Sequence, residues 1–418
     1  MRDLSRWALI GSFLILALLL FQGLGKSSQT SDFSDYYNAS RLFTERKDIY
    51  QVDSLKELFS EKKAPLQLFD SEVLNKILSL KGKVASYIYP PVFAFLLIPL
   101  SILNYETASA VFNLLNFACL VGVVWMFRRD FDTSRFSVVL FLTLAVSYRF
   151  LESHTANNQV AFMLIFLSVA ALRIKNDFIS GFLLALATII KLTPAIFILY
   201  YIYEKRFKAL VFFAAGMGFW SVLPFLAGYE YGLAQWKNWI ELVLQNALKN
   251  PVFRAWKNNQ SLVATLAKYF HSAADPENQY KYGMPFVSLS LDQIKILLNI
   301  LTLAVLSPLF IFWKRGYSRN QLISILFILS AILSGVSWIH SFSVLIFPIF
   351  YLFHSLEKNR KGAWAVYGIS ALIILTSGSI NKSLENASLM FSLLLYISLG
   401  YYALCFYISD EDAEHLSA

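Results

Sequence analysis

The stretch WALIGSFLILALLLFQGL, residues 7–24, is followed at residues 30–37 by TSDFSDYY. The first stretch is long enough to cross a bilayer, and it follows Arg2 and Arg6, as expected at the cytoplasmic end of a span. No small-x-small cleavage site lies between this span and Lys26, so we expect the span to be retained. The acidic and aromatic second stretch would then lie against the outer membrane surface.

The composition of the chain excludes an ordinary soluble domain. Of its 418 residues, 57% are hydrophobic and 15% are charged, and the mean hydropathy is +0.54. These values predict an all-α integral membrane protein. The net charge of +9 comes from short basic clusters between apolar runs, a pattern typical of cytoplasmic loops, so we expect no nucleic-acid partner. Cys119 and Cys405 lie in apolar runs and predict no disulfide.

The basic clusters predict about twelve transmembrane helices with both chain ends in the cytoplasm. If every cluster is cytoplasmic, an even number of spans must separate neighbouring clusters. We therefore expect one polytopic membrane domain, residues 1–418, with large external loops at 25–105 and 228–290 that carry juxtamembrane helices. After the first span, the predicted spans cover about 106–127, 136–151, 159–173, 178–203 as two short helices, 208–227, 291–313, two spans within 321–356, 363–379 and 387–408.

Two segments are ambiguous in this count. Counting Tyr89–Leu103 as a span would place Arg128 outside, so we interpret this segment as a helix along the outer surface. Residues 178–203 form one apolar run that is interrupted by Lys191 and Pro194 and flanked by basic residues. We expect this run to enter the membrane and return as two short helices, with a single straight span as the alternative.

With this topology, the polar residues that could carry chemistry all lie on the external side. A distribution on one face predicts a single outward-facing site, with the apolar helices as its scaffold. The candidates are Asp32, Asp35, Tyr89, His154, Gln159, Lys191, Asn259, Gln260 and His340.

Several of these residues also have purely structural interpretations. Asp32 could cap a predicted helix at 33–45, with Asp35 as an acidic residue in its first turn. Lys191 could extend its ammonium group to the interface, although about a dozen apolar residues separate it from the cytoplasmic side. His340 could be an ordinary interfacial histidine.

The motifs, taken in order, resemble glycosyltransferase family 87. The resemblance begins at Asp32-Phe33 with Tyr36-Tyr37, continues through Asp48-Ile49-Tyr50 and Tyr89-Pro90-Pro91, and includes Asn158-Gln159, where the family commonly has Gly-Gln. The helix from Gly181 to Lys191 and Pro194, then Asn259-Gln260-Ser261-Leu262, and finally Ser337-Trp338-Ile339-His340 complete it. Two positions depart from the family pattern: Asn158 replaces the usual Gly, and Ile49 replaces Pro.

The resemblance implies a C-type glycosyltransferase fold and a specific chemistry. Such enzymes transfer a sugar, chiefly mannose, from a polyprenyl-phosphate donor to a lipid-linked or cell-envelope acceptor, with inversion at the anomeric carbon. The donor's lipid tail stays among membrane lipids, and its single phosphate can be held by cationic side chains without a metal or other cofactor. The implied general base is Asp32, with Asp35 as the second candidate.

We expect Lys191 and His340 to hold the donor phosphate, and we assign Asn259, Gln260, His154, Gln159 and Tyr89 to sugar or acceptor contacts. The expected location is a bacterial cytoplasmic membrane, with the site facing outward. A transporter or lipid flippase would also have about twelve helices and polar residues at membrane depth. Internal repeats would favour the transporter interpretation, but the two halves of the sequence show no convincing similarity.

Overall fold

A computed structural model describes residues 2–50, 87–131, 135–245, 255–271, 284–358 and 360–408. Within these ranges every regular element is helical. The α-helices are α1 Arg2–Gly25, α2 Phe33–Thr44, α3 Pro91–Leu96, α4 Ile98–Ser101, α5 Tyr105–Asp130, α6 Phe136–Asn157, α7 Ala161–Arg173, α8 Asp177–Ile190, α9 Ile198–Tyr203, α10 Phe207–Val222, α11 Tyr229–Trp239, α12 Leu262–Phe270, α13 Leu291–Ile311, α14 Arg319–Ile332, α15 Ile346–Lys358, α16 Ala363–Leu375, α17 Lys382–Met390 and α18 Leu393–Tyr407. Short 3-10 helices at Thr193–Phe197, Leu223–Ala227, Phe312–Arg315 and Ile339–Leu345, and a π-helix at Ile240–Gln245, adjoin some of them.

Six helices among the described residues are long and apolar enough to cross a membrane, or seven if the bent pair of α17 and α18 forms one span. Five further apolar helices have between 10 and 17 residues. The predicted spans fall on helical segments, but the span predicted at 387–408 coincides with the end of α17 and with α18, which are bent by 73° relative to each other. The total of twelve spans stays a prediction because the shorter helices do not by themselves cover a bilayer. Residues 51–86, 246–254 and 272–283 of the predicted external loops, and the acidic tail from Asp410, lie outside the described residues.

The chain divides into two compact units, each built from segments that are distant in sequence. Unit 1 comprises Met1–Gln22, Cys119–Thr155 and Arg254–Ala418, and unit 2 comprises Gly23–Ala118 and Ala156–Phe253.

Unit 2 is held together by a core of aromatic side chains around α2. Eight of the twelve residues of α2 are buried, and the first five, Phe33–Tyr37, are buried without a break. Phe33 stacks on Phe112 of α5 with ring centroids 4.9 Å apart, and Tyr36 meets Phe93 of α3 edge to face at 5.1 Å. The predicted helix at 33–45 is therefore confirmed, and its buried face packs against two neighbouring helices.

Residues 177–206 of unit 2 form a helical hairpin with its turn at Lys191. The helix α8 ends at Ile190, and the chain returns through a 3-10 turn and α9. Arg206 pairs with Asp177 at 2.7 Å, and the hydroxyl of Tyr201 lies 2.7 Å from that of Ser180, so the two ends of the hairpin are joined. The expected turn between two short helical segments is confirmed, and the single straight span is wrong; the path of the hairpin through the membrane stays a prediction.

The segment Tyr89–Leu103 contains two short helices rather than one. Pro91 starts α3, as proline can at the first helical position; α3 ends at Leu96, and α4 begins at Ile98. Neither helix approaches the length of a span, which agrees with excluding this segment from the count.

Unit 1 has an apolar core between α14, α15 and α18. A capping box formed by Ser318 and Gln321 starts α14. Phe127 stacks on Phe350 with centroids 4.4 Å apart. A buried ion pair joins Arg149 of α6 to Glu385 of α17 at 3.4 Å, and Arg149 also donates to the Thr376 hydroxyl.

Candidate functional site

Asp32 stands at the start of α2 but does not cap it. Its side chain makes no capping hydrogen bond. One carboxylate oxygen instead accepts a hydrogen bond of 2.5 Å from the amide nitrogen of Gln159. Asp32 is half-buried, whereas Asp35, in the first turn of the same helix, is only 7% exposed. The capping interpretation of Asp32 is therefore wrong, and the carboxylate belongs to a polar cluster of unit 2.

Gln159 joins the Asp32 carboxylate to two tyrosines. Its amide oxygen accepts a hydrogen bond of 2.8 Å from the Tyr36 hydroxyl and one of 3.3 Å from the Tyr89 hydroxyl. The two hydroxyls are themselves 2.9 Å apart. Because the oxygen end of the amide serves the tyrosines, the nitrogen end faces Asp32.

The turn before Gln159 requires a special backbone conformation. Asn158 has φ 49°, in the left-handed region. Glycine is the usual residue there, and asparagine is among the few others that tolerate it. The Asn158 side chain also donates to the carbonyl oxygen of Ser109 at 2.9 Å. The departure from the family's Gly-Gln pattern therefore preserves the turn that places Gln159.

Lys191, at the turn of the hairpin, belongs to the same cluster. Its ammonium nitrogen lies 5.9 Å from the centre of the Tyr89 ring, within cation–π range. The Asp32 carboxylate attracts it electrostatically. Lys191 is half-buried and has extended backbone dihedrals, which end α8 and turn the side chain away from the helix.

The Tyr36 hydroxyl is a stable hydrogen-bond donor in this cluster. Burial, reinforced by Tyr89 and Asp32, raises the pKa of the phenol well above its ordinary value. The hydroxyl therefore keeps its proton at neutral pH.

Two buried side chains fix the backbone that carries Tyr89. The Tyr50 hydroxyl donates to the carbonyl of Tyr89 at 2.8 Å, and the Trp239 indole donates to that of Ile88 at 3.1 Å. The Asp48-Ile49-Tyr50 element thus serves as a support for the cluster. Asp48 in turn accepts a hydrogen bond of 3.1 Å from Asn238.

In unit 1, Asn259 and Gln260 bind backbone groups. The amide oxygen of Asn259 accepts from the nitrogen of Ser337 at 2.9 Å, and its amide nitrogen donates to the carbonyl of Gly335 at 3.0 Å. The side chain of Gln260 donates to the carbonyls of Lys257 and Leu389. Both residues are 0% exposed. They join their loop to the segment that leads to His340, and a direct substrate contact for either stays a prediction.

His340 and His154 also belong to unit 1. His340 is the second residue of the 3-10 helix Ile339–Leu345 and is 8% exposed, with its ring 6.0 Å from that of Trp338. His154, near the end of α6, is 1% exposed. Their predicted roles in donor and acceptor binding stay predictions.

The structure therefore gathers Asp32, Tyr89, Gln159 and Lys191 in unit 2 and places Asn259, Gln260, His154 and His340 in unit 1. A carboxylate that can accept a proton and an ammonium that can hold an anion lie together in unit 2. Within the described residues, no group of three or more His, Cys, Asp or Glu side chains could hold a metal ion.

Two polar residues of these clusters had no assigned role in the sequence. Tyr36 lies in the family-like motif, but its hydroxyl contacts Gln159, which is 123 positions away in the sequence. Lys268 is fully buried on α12 and donates to the carbonyls of Lys257, Asn259 and Leu389 at 2.9–3.3 Å. The position of Lys268 in a short amphipathic helix does not by itself predict these three backbone contacts.

Comparison with known proteins gives one family match and distant relatives. The model of glycosyltransferase family 87 matches residues 87–335. A polyprenol-phosphate-mannose-dependent alpha-(1-2)-phosphatidylinositol pentamannoside mannosyltransferase of Mycolicibacterium smegmatis is 30% identical over 144 residues, which are 33% of this chain and 35% of the relative. A protein of the same description from Mycobacterium tuberculosis is 27% identical over 145 residues, which are 34% of this chain and 32% of the relative.

The aligned stretch thus covers about a third of either relative. No solved structure matches the chain. The chain has several helices apolar enough to cross a membrane. Since the family match spans more than half of the 418 residues, the chain belongs to glycosyltransferase family 87.

Proposed function

We propose that this protein transfers a hexose, mannose as the first choice, from a polyprenyl-phosphate sugar to a hydroxyl of a lipid-linked or cell-envelope acceptor. The reaction inverts the anomeric carbon and takes place at the external face of the membrane. Family membership supports a C-type glycosyltransferase fold, and the printed donor of the distant relatives supports mannose.

The observation that carries this proposal is that Asp32 and Lys191 both belong to the polar cluster around Tyr89: Asp32 is joined to Tyr89 through Gln159, and the Lys191 ammonium lies over the Tyr89 ring. The acceptor oxygen forms a bond with the anomeric carbon as the bond from that carbon to the phosphate oxygen breaks. The electron pair of the broken bond leaves with the polyprenyl phosphate, and the acceptor's proton passes to Asp32. Lys191 stabilises the charge that develops on the departing phosphate.

Asp32 is preferred to Asp35 as the base because its carboxylate is more exposed and belongs to the cluster that contains Lys191. Removal of a general base costs about 10²–10⁴ in rate. We expect purified Asp32→Asn to stay folded and to lose activity on this scale, while Asp35→Asn retains measurable transfer.

The assay supplies purified protein in vesicles with polyprenyl-phosphate mannose and membrane lipid extract, and detects new glycolipid. The reverse ranking of the two variants would assign the base to Asp35. Movement of substrate across the vesicle membrane without a new glycosidic bond would instead support a transporter. Full activity of both variants would refute the proposed chemistry.

A further inference from the structure

We infer that Tyr36 and Gln159 are positioning residues for the Asp32 carboxylate, with Tyr36 acting through Gln159. The inference rests on the proposed function because it assigns these two residues to the orientation of the proposed base. Neither residue needs to touch substrate.

The first step concerns the orientation of the Gln159 amide. An amide can present either its oxygen or its nitrogen to a neighbour, and the two orientations have nearly the same shape. If the amide oxygen of Gln159 faced Asp32, it would repel the carboxylate. The amide nitrogen instead donates a hydrogen bond to the carboxylate. The carboxylate, which can only accept, requires the second orientation, and the Tyr36 hydroxyl holds the amide in it by donating to the amide oxygen at 2.8 Å.

The second step concerns the direction of the hydrogen bonds. Tyr36 donates to Gln159, so its oxygen can accept from Tyr89, which lies 2.9 Å away and also within 3.3 Å of the amide oxygen. Each donor in this series of hydrogen bonds, from Tyr89 through Tyr36 and Gln159, then points toward Asp32. Hydrogen bonds aligned in this way polarise and strengthen one another.

The third step concerns how these hydrogen bonds fix the position of the Asp32 carboxylate. Asp32 directly precedes the first residue of α2, where its side chain makes no capping hydrogen bond. The amide of Gln159 fixes one of its two oxygens. Tyr36 is 2% exposed and Gln159 is 5% exposed, so the hydrogen bonds that reach Asp32 come from side chains buried in unit 2.

The test separates positioning from substrate binding by kinetics. Gln159→Met keeps the length of the side chain and removes both hydrogen-bonding ends. We expect kcat to fall by up to about 10²-fold, the cost of misplacing a reacting group by about 1 Å. The KM for the donor should stay unchanged, because the amide contributes to the position of the base and not to donor binding.

Tyr36→Phe should lower kcat about fivefold to tenfold, the loss expected for one neutral hydrogen bond. Because Tyr36 acts through Gln159, the double variant should be no slower than Gln159→Met alone. Gln159→Met should likewise cause no further loss in the Asp32→Asn background.

Tyr37→Phe is the matched control. Tyr37 lies on the same helix, is also buried, and donates from its hydroxyl to the carbonyl of Leu103 at 2.7 Å. Its removal costs a comparable buried hydrogen bond but should leave kcat at the wild-type value.

Multiplicative losses in the Tyr36–Gln159 double variant would overturn the inference, as would a raised donor KM with unchanged kcat in Gln159→Met. An equal loss of kcat in Tyr37→Phe would reduce the effect to general packing and overturn it as well. If Asp32→Asn is inactive while Gln159→Met is fully active, this inference alone fails. If wild-type protein forms no glycosidic bond, the proposed function fails.

Discussion

Lys191 is the residue whose placement is hardest to explain without a ligand. A lysine at the turn of a hairpin of two apolar helices is costly, and such residues in membrane proteins usually serve function. Its ammonium nitrogen lies 5.9 Å from the centre of the Tyr89 ring, in the cluster that also contains the Asp32 carboxylate.

We expect Lys191→Ala to weaken donor binding about 10–100-fold and to slow turnover, since a hydrogen bond to a charged group contributes about 1.5–3 kcal/mol. Donor titration and kcat measured on the same preparation test this. Lys208→Ala is the control, because Lys208 is an exposed lysine of unit 2. Unchanged donor affinity in Lys191→Ala would remove this residue from the phosphate site.

Lys268 illustrates a buried charge with a structural task. Its ammonium donates to three backbone carbonyls, one of which belongs to Asn259 and another to Leu389. Gln260 uses the carbonyl of Leu389 too. The two side chains together join the loop before α12 to the end of α17.

We expect Lys268→Met to lower the free energy of unfolding by about 1–3 kcal/mol, because the carbonyl of Asn259 would lose the Lys268 donor. The carbonyls of Lys257 and Leu389 would lose it too but would keep the side chain of Gln260 as a donor. Thermal unfolding of the purified protein in detergent measures this. Lys295→Met removes a lysine whose partner is an exposed aspartate at 3.2 Å, and it should leave the midpoint unchanged. Equal midpoints for the two variants would contradict this role of Lys268.

At the scale of elements, the hairpin that carries Lys191 depends on a close helix contact. Gly181 of α8 lies against α10 so closely that an added Cβ would stand 2.6 Å from the carbonyl oxygen of Ala209 and from the nitrogen of Phe213. These are backbone atoms, which cannot rotate away. The glycine in the family-like motif is therefore explained by packing.

We expect Gly181→Ala to destabilise the protein by about 1–3 kcal/mol, as overpacking does, which exceeds the gain of about 0.5–1 kcal/mol from alanine in a helix. Transfer activity should fall with it, since α8 positions Lys191. Gly218→Ala, on α10, is the control because its Cβ would meet nothing within 4 Å. A stable and fully active Gly181→Ala protein would show that α8 and α10 can separate without affecting the site.

At the scale of the whole molecule, the nature of the leaving group predicts a reaction without a divalent metal. A nucleotide sugar leaves as a diphosphate, which usually needs a metal to neutralise it, whereas a polyprenyl-phosphate sugar leaves as a monophosphate ester. One ammonium group such as that of Lys191 can stabilise this smaller charge.

We therefore expect product formation from polyprenyl-phosphate mannose to continue at the same rate in excess chelator. The measurement is the initial rate with and without chelator in reconstituted vesicles, with a metal-dependent glycosyltransferase as the positive control for chelation. Loss of activity in chelator and its return with added Mg²⁺ or Mn²⁺ would overturn the proposed mechanism.

The sequence by itself determined the helical class, the position of the helices and the family. Apolar runs such as 7–24 and 106–127 are long, and the cost of burying unpaired backbone groups in lipid leaves a helix as the only solution for them. The hairpin at 178–203 could also be predicted, because Lys191 and Pro194 interrupt its apolar run. The number of transmembrane spans could not be predicted, since whether a helix of 10–17 residues crosses the membrane depends on the helices packed around it.

Only the tertiary structure decided what the polar side chains contact. Asp32 could equally have capped α2, and its bond to Gln159 exists because α2 and the turn after α6 pack together across 127 residues of sequence. The same holds for Tyr36 with Gln159, for Asn259 with Ser337 and for Lys268 with Leu389. A hydrogen bond depends on distances of a few tenths of an ångström, and such distances arise from the packing of whole helices, which no local pattern encodes.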